Sequence, residues 1–182
     1  RESFFVNSKI SISTARAGNV IGGGDFAKHR IIPDCVRAVQ KKAPIMIRSP
    51  KSIRPYQHVL EPIFAYLMIL EKQYVNNELQ GNYNIGPNDC DCISTEQLTS
   101  IFCETWGDGA VWKCEENKGP HESNILKLDC SKIRNVFGWL PKWDIDEAIN
   151  KTCEWTRDWL NNKNIVCTIE NQIKEYMENQ ER

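Results

Sequence analysis

The chain has no C-x-x-C pair, no long apolar run, no excess of basic residues and only three histidines. Each absence removes a class of function. Eight cysteines are present, but they are scattered. The one close pair, Cys90-Asp91-Cys92, has no histidine near it. Structural zinc favours paired knuckles, so no metal site is expected. A chain of 182 residues with 41% hydrophobic residues has core enough to do without a disulfide framework. The cysteines read as reduced, buried or incidental thiols of a cytoplasmic protein. The longest apolar run, Ile63 to Leu70, contains Tyr66 and falls far short of the roughly 20 residues a membrane span needs. No secretory signal is visible. A net charge of −1 argues against a nucleic-acid partner.

What remains is an alternation of short strands and helices, the pattern of the α/β class. Residues 9–17 alternate apolar and polar and read as a strand, with residues 18–25 as a glycine-rich loop. Ile31 to Lys42 has helical spacing with Pro33 in its first turn. Ile45 to Arg48 reads as a short strand. Val59 to Tyr74 carries a wide apolar face suited to packing on a sheet. Tyr83 to Gly86 is a further strand. Ser94 with Gln97 forms a capping box for a helix that runs to Trp106 and stops at Gly107. Val111 to Cys114 reads as a strand. A short helix lies within residues 129–139 and stops at Gly138. Asp144 or Asp146 opens the next helix, through Leu160. Glu170 to Arg182 reads as a polar, frayed helical tail.

Chemistry concentrates in two stretches. The first runs Arg16-Ala17-Gly18-Asn19-Val20-Ile21-Gly22-Gly23-Gly24-Asp25, and the second is Ile53-Arg54-Pro55-Tyr56-Gln57-His58-Val59. Residues 22–27 formally fit G-x-G-x-x-A, yet no helix opens there and residues 43–53 hold no acid for a ribose. The dinucleotide reading is therefore rejected. The glycines serve either as a plain turn or as a close approach to a ligand. Asn19, at a strand end, either meets a phosphate and a hydroxyl or closes an Asx-turn. Pro55 holds Arg54 extended, so its planar fork either faces a diphosphate or makes a surface ion pair. His58 is read as a polar residue of a helix's first turn rather than as a partner of Arg54. Lys28-His29-Arg30 is either a solvated face or a cationic cluster near an anion. No carboxylate pair and no serine or cysteine nucleophile motif is evident.

These two stretches, with Arg30-Ile31-Ile32-Pro33-Asp34 and Leu60-Glu61-Pro62, closely resemble the CDP-glucose 4,6-dehydratases. That family lies within the extended short-chain dehydrogenase/reductases. Tyr83 to Pro87, Pro120-His121-Glu122, Leu126 to Lys132 and Gly138-Trp139-Leu140-Pro141-Lys142-Trp143 fit the same pattern, so the resemblance covers nearly the whole chain. It implies a two-domain fold, with a Rossmann domain for NAD and a smaller domain for the sugar nucleotide. It also implies a reaction. NAD⁺ takes hydride from C4 of the glucose, water leaves across C5–C6, and the hydride returns to C6.

One departure is decisive. None of Tyr56, Tyr66, Tyr74, Tyr83 and Tyr176 has a lysine four residues later, so the family's Tyr-x-x-x-Lys is missing. The chain is expected to be a C-terminal fragment without the catalytic residues. Residues 1–19 and 58–86 would be the last strands and a helix of the Rossmann-type parallel sheet. Residues 20–57 and 87–182 would be the nucleotide-sugar-binding domain. By resemblance, Asn19 and Arg54 would meet the diphosphate, and Arg30 and Ile31 would frame the nucleotide. Ile45 and Ile47 would flank the base, and Asn84 and His121 would line the same pocket. Ala17 and Gly18 would lie near the nicotinamide of NAD. The ligand would be CDP-glucose or a related nucleotide sugar. Alternatives are an epimerase or a dehydratase of a dTDP- or UDP-sugar, or a binding domain without catalysis. Exposed sheet surface would favour a homo-oligomer.

Overall fold

The computed structural model describes Phe5 and residues 10–114 and 124–178. The expected strand begins late and is followed by a second one. Thr14–Ala17 is β1 and Asn19–Ile21 is β2, with Gly18 between them; Lys9, the first residue of the expected strand, lies outside the described residues. The rest follows as α1 (Ile31–Gln40), β3 (Ile45–Ile47), β4 (Ile53–His58), α2 (Leu60–Val75), β5 (Asn82–Ile85), β6 (Cys92–Ser94), α3 (Thr95–Trp106), β7 (Trp112–Cys114), α4 (Ser131–Phe137), α5 (Ile145–Leu160) and α6 (Ile165–Glu178).

The sheets explain why residues 19–21, within the loop expected over 18–25, form a strand. β1 runs parallel to β5, and β2 runs parallel to β4, which is antiparallel to β6. β3 pairs with β7 in parallel. At Gly18 the chain leaves one partner and takes another. The crossing is tight: a Cβ on Gly18 would stand 2.4 Å from the Pro55 carbonyl oxygen. One acceptor pins the fork. The carbonyl of Ile85 takes both the Gly18 amide at 3.0 Å and the Gln57 side-chain amide at 2.9 Å.

Two cores flank the fork. One gathers Ile21, Ile32, Ile45 and Tyr56 with Leu98, Phe102, Ile149 and Cys153, and so joins β2, β3 and β4 to α1, α3 and α5. The other gathers Ala65, Ile69, Tyr83 and Ile85 with Cys130, Ile133, Phe137 and Trp139, and so joins α2 and β5 to α4. A third, smaller cluster of Leu60, Trp143 and Tyr176 bridges α2 to α6.

The local signals at helix ends hold. Ser94 and Gln97 form the capping box, Gly138 adopts the left-handed conformation at φ 68°, and Asp144 caps α5 by accepting from the Glu147 amide at 2.9 Å. The tail differs from expectation. α6 is packed rather than frayed, with Thr168, Gln172 and Tyr176 buried along one face; residues 179–182 lie outside the described residues. Its anchor is Glu61 of α2, fully buried. Glu61 accepts from the Tyr176 hydroxyl at 2.7 Å and from the amides of Lys142 and Trp143 at 3.0 and 2.9 Å. Burial pushes the Glu61 carboxyl up, and those three donors pull the other way.

Candidate functional site

A cavity of about 580 Å³ opens where β2 and β4 diverge from the fork, beside the first turn of α1 and the end of β3. Its place follows from topology. In open α/β sheets, ligands bind beyond the carboxyl ends of strands where neighbours part. The floor is Gly18, Asn19 and Ile21 from β1 and β2, with Arg54 and Tyr56 from β4. One wall is His29, Arg30, Ile31 and Asp34, and the other is Met46, Ile47 and Arg48.

The charges favour an anion. α1 points its N-terminus at the cavity, and Arg30 at the cap position has no side-chain cap bond. The unpaired amides and positive end of such a helix suit a phosphate. The two acids on the wall are already engaged. Asp25 holds Arg30 at 3.2 Å, and Asp34 pairs with Arg37. Arg48 and Arg54 line the same cavity and bring further positive charge to it. Arg54 is half-buried on β4, opposite Ile93 of β6, with its Nη1 donating to the Ile53 carbonyl at 2.9 Å.

Of the residues singled out from the sequence, Gly18, Asn19, Arg30, Ile31, Ile47 and Arg54 meet at this cavity. The others lie elsewhere. Ile45 is packed in the core with Ile32, whereas Ile47, on the same side of β3, reaches the cavity wall, and Met46 lines the cavity from the other side. Asn84 sits on β5, away from the cavity wall, and its side-chain amide donates to the Asp129 carbonyl at 2.9 Å. Ala17 ends β1 opposite Ile85 and is not on the wall. His121 and the surrounding Pro120-His121-Glu122 lie outside the described residues.

Two further readings change. Gly23 is small for packing rather than for a ligand, because a Cβ there would stand 2.0 Å from the ring of Trp155 on α5. His58 is the last residue of β4, buried to 2% exposure. Its Nδ1 accepts from the Leu60 amide at 3.3 Å, and its ring meets Trp143 edge-on. Burial first, then the nearby Lys151 charge, hold its pKa down at about 4. His58 thus supports the start of α2 as a neutral ring and takes no part in the cavity. Sequence reasoning missed Met46, Arg48, Ser52, Tyr56 and Thr95 on the wall. Alternation along β3 was the signal for Met46; none marked Thr95, which reaches the site through a non-local bond to Ser52.

No family model matches the chain. In sequence it is 37% identical to CDP-glucose 4,6-dehydratase of Salmonella typhimurium, over 97% of this chain and 51% of that protein. Among solved structures, UDP-N-acetylglucosamine 4-epimerase of Methanobrevibacter ruminantium superposes with a TM-score of 0.74 at 18% identity, over 87% of this chain and 50% of that one. The dTDP-glucose 4,6-dehydratase of Bacillus anthracis, in complex with NAD, gives 0.70 at 15% identity, over 86% and 47%. The chain matches the Rossmann-type epimerase/dehydratase fold over about half of each of those structures. It spans about half the length of the curated relatives it matches. Among the described residues no helix is long and apolar enough to cross a membrane, and no group of side chains is placed to hold a metal ion.

Proposed function

We propose that the chain is the nucleotide-sugar-binding part of a CDP-glucose 4,6-dehydratase, and that the cavity at the fork is its substrate site. The observation that carries this reading is the convergence on one cavity of Asn19, Arg54 and the N-terminus of α1. Similarity to the Salmonella enzyme along 97% of the chain supports the substrate. Asn19 is exposed at the start of β2, where its amide both donates to a phosphate oxygen and accepts from a sugar hydroxyl. Arg54 supplies a planar fork to the diphosphate. The α1 amides complete an anion site.

NAD belongs to the whole protein in this reading, with Ala17 and Gly18 beside its nicotinamide, and the glycines at 22–24 are not its dinucleotide turn. The three glycines do not open a helix, and the space over Gly23 is filled by Trp155. The whole protein would convert CDP-glucose to CDP-4-keto-6-deoxyglucose in the cytoplasm. Residues 1–19 and 58–86 would belong with the NAD-binding sheet, and residues 20–57 and 87–182 with the substrate domain. Self-association is part of the proposal, because among the described residues β1 and β5 have no outer strand neighbours and α2 beside them exposes Ile63, Leu67, Leu70 and Tyr74.

Calorimetric titration with CDP-glucose tests the reading. Binding is expected, and Arg54→Ala should weaken it by about 1.5–3 kcal/mol, the scale of a charge-assisted contact. A chain that binds neither CDP-glucose nor any other nucleotide sugar overturns it. An Arg54→Ala variant with unchanged affinity removes Arg54 from the site.

A further inference from the structure

We infer that Arg48 selects the base, by donating two parallel hydrogen bonds to a cytosine ring laid over Met46. The inference rests on the nucleotide-sugar reading of the cavity and goes beyond it by naming the residue that chooses cytosine. Arg48 directly follows β3, and it lines the cavity with Met46, two positions back. Both are exposed, whereas Ile45 and Ile47 are buried. Two residues of extended chain span no more than about 7 Å, the scale of a pyrimidine and its hydrogen-bonded edge. Met46 offers a soft apolar surface for a ring face. Among the described residues Arg48 forms no ion pair, whereas Arg30 is held by Asp25 and Arg37 by Asp34.

The chemistry then discriminates. A guanidinium only donates, through a rigid planar fork. Cytosine places two acceptors, N3 and the O2 carbonyl, side by side on one edge, so the fork meets both. Uracil and thymine carry a hydrogen on N3, so the same fork would set N–H against N–H. Arg54 on β4 and the first turn of α1 remain for the diphosphate, which both kinds of nucleotide share.

The test is titration of the chain with CDP and with UDP. The unsubstituted protein should prefer CDP by roughly tenfold or more, as expected of a site built to hydrogen-bond one base. Arg48→Gln should lower CDP affinity by about that factor and leave UDP within about twofold, so the preference disappears. Arg48→Lys keeps the charge without the fork and should lose the preference too. Arg54→Ala should weaken both nucleotides alike. If Arg48→Gln weakens CDP and UDP equally, Arg48 holds a phosphate and the inference fails. It fails also if CDP and UDP keep their ratio in Arg48→Gln or in Arg48→Lys. If the unsubstituted chain binds neither nucleotide, the nucleotide-sugar reading itself falls, and this one with it.

Discussion

The two sides of the fork are built to different standards of closure. On the cavity side, β2, β4 and β6 are covered by α1, α3 and α5, and the apolar residues close over one another. On the other side, β1 and β5 form a two-stranded parallel sheet with α2 and α4 beside it. Parallel strands are ordinarily buried on both faces. Here α2 shows solvent a stripe of Ile63, Leu67, Leu70 and Tyr74, the last 91% exposed. The stripe follows helical spacing, so it is a face rather than a scatter. The lesson is that a folded, well-packed site and an unfinished surface coexist in one chain, separated by a single glycine.

The bond network that spans this divide should be the most costly to break. Glu61→Ala strands three donors at the α2–α6 junction, those of Trp143 and Tyr176 buried. It should destabilise the protein by about 3–4 kcal/mol, read from urea unfolding. A loss under about 1 kcal/mol would mean that the junction does not hold the two sides together.

His58 sharpens the same point through pH. Its pKa is about 4 in the folded chain, against 6.5 for the free side chain. Between those values the unfolded chain binds more protons, so stability rises with pH across that window and is lost as pH falls through about 4. The gain is about 3 kcal/mol. Glu61, raised by burial, contributes an opposite slope above its free value of 4.5. His58→Gln should therefore flatten or invert the rise. An unchanged pH profile would show that His58 is not buried neutral.

On the cavity side, Gly23→Ala should cost about 2 kcal/mol, because the new methyl group meets the Trp155 ring. A neutral result in thermal melts would mean that the α5 contact is loose. The smallest effect on stability belongs to the open side. Leu67→Lys should change unfolding free energy by under about 0.5 kcal/mol. It should nonetheless abolish self-association in light scattering across a concentration series. A chain that is monomeric before the substitution would remove the case for association through α2.

Legibility in the sequence follows the range of the interactions. Ser94 with Gln97, Gly138 and Asp144 act within a few residues, and their helix ends could be read directly. β4 could not, since Pro55 argues against a central strand. In the fold Pro55 falls where β4 changes partner from β6 to β2, so the missing N–H interrupts no continuous ladder. Asn84 was read as a ligand residue, but its partner, the Asp129 carbonyl, lies 45 residues away. The packed α6 was hidden for the same reason, because Tyr176 is anchored by Glu61 across 115 residues. In the cavity, the two stretches rich in glycine and arginine were visible, while Ile45, on the same side of β3 as Ile47, packs into the core instead. Gly23 was read for its freedom to turn, while the reason for its size sits on α5.

The shared carbonyl of Ile85 ties the two limbs of the fork to one atom. Gly18 and Gln57 hang from the same oxygen. Behind it, β1 is laddered to β5 from Thr14 to Ala17, so the limb that bears Gly18 is held along its length. A substitution that moves the Ile85 carbonyl would therefore disturb both limbs at once, Gly18 beside Asn19 and Gln57 beside Tyr56, at the floor of the cavity.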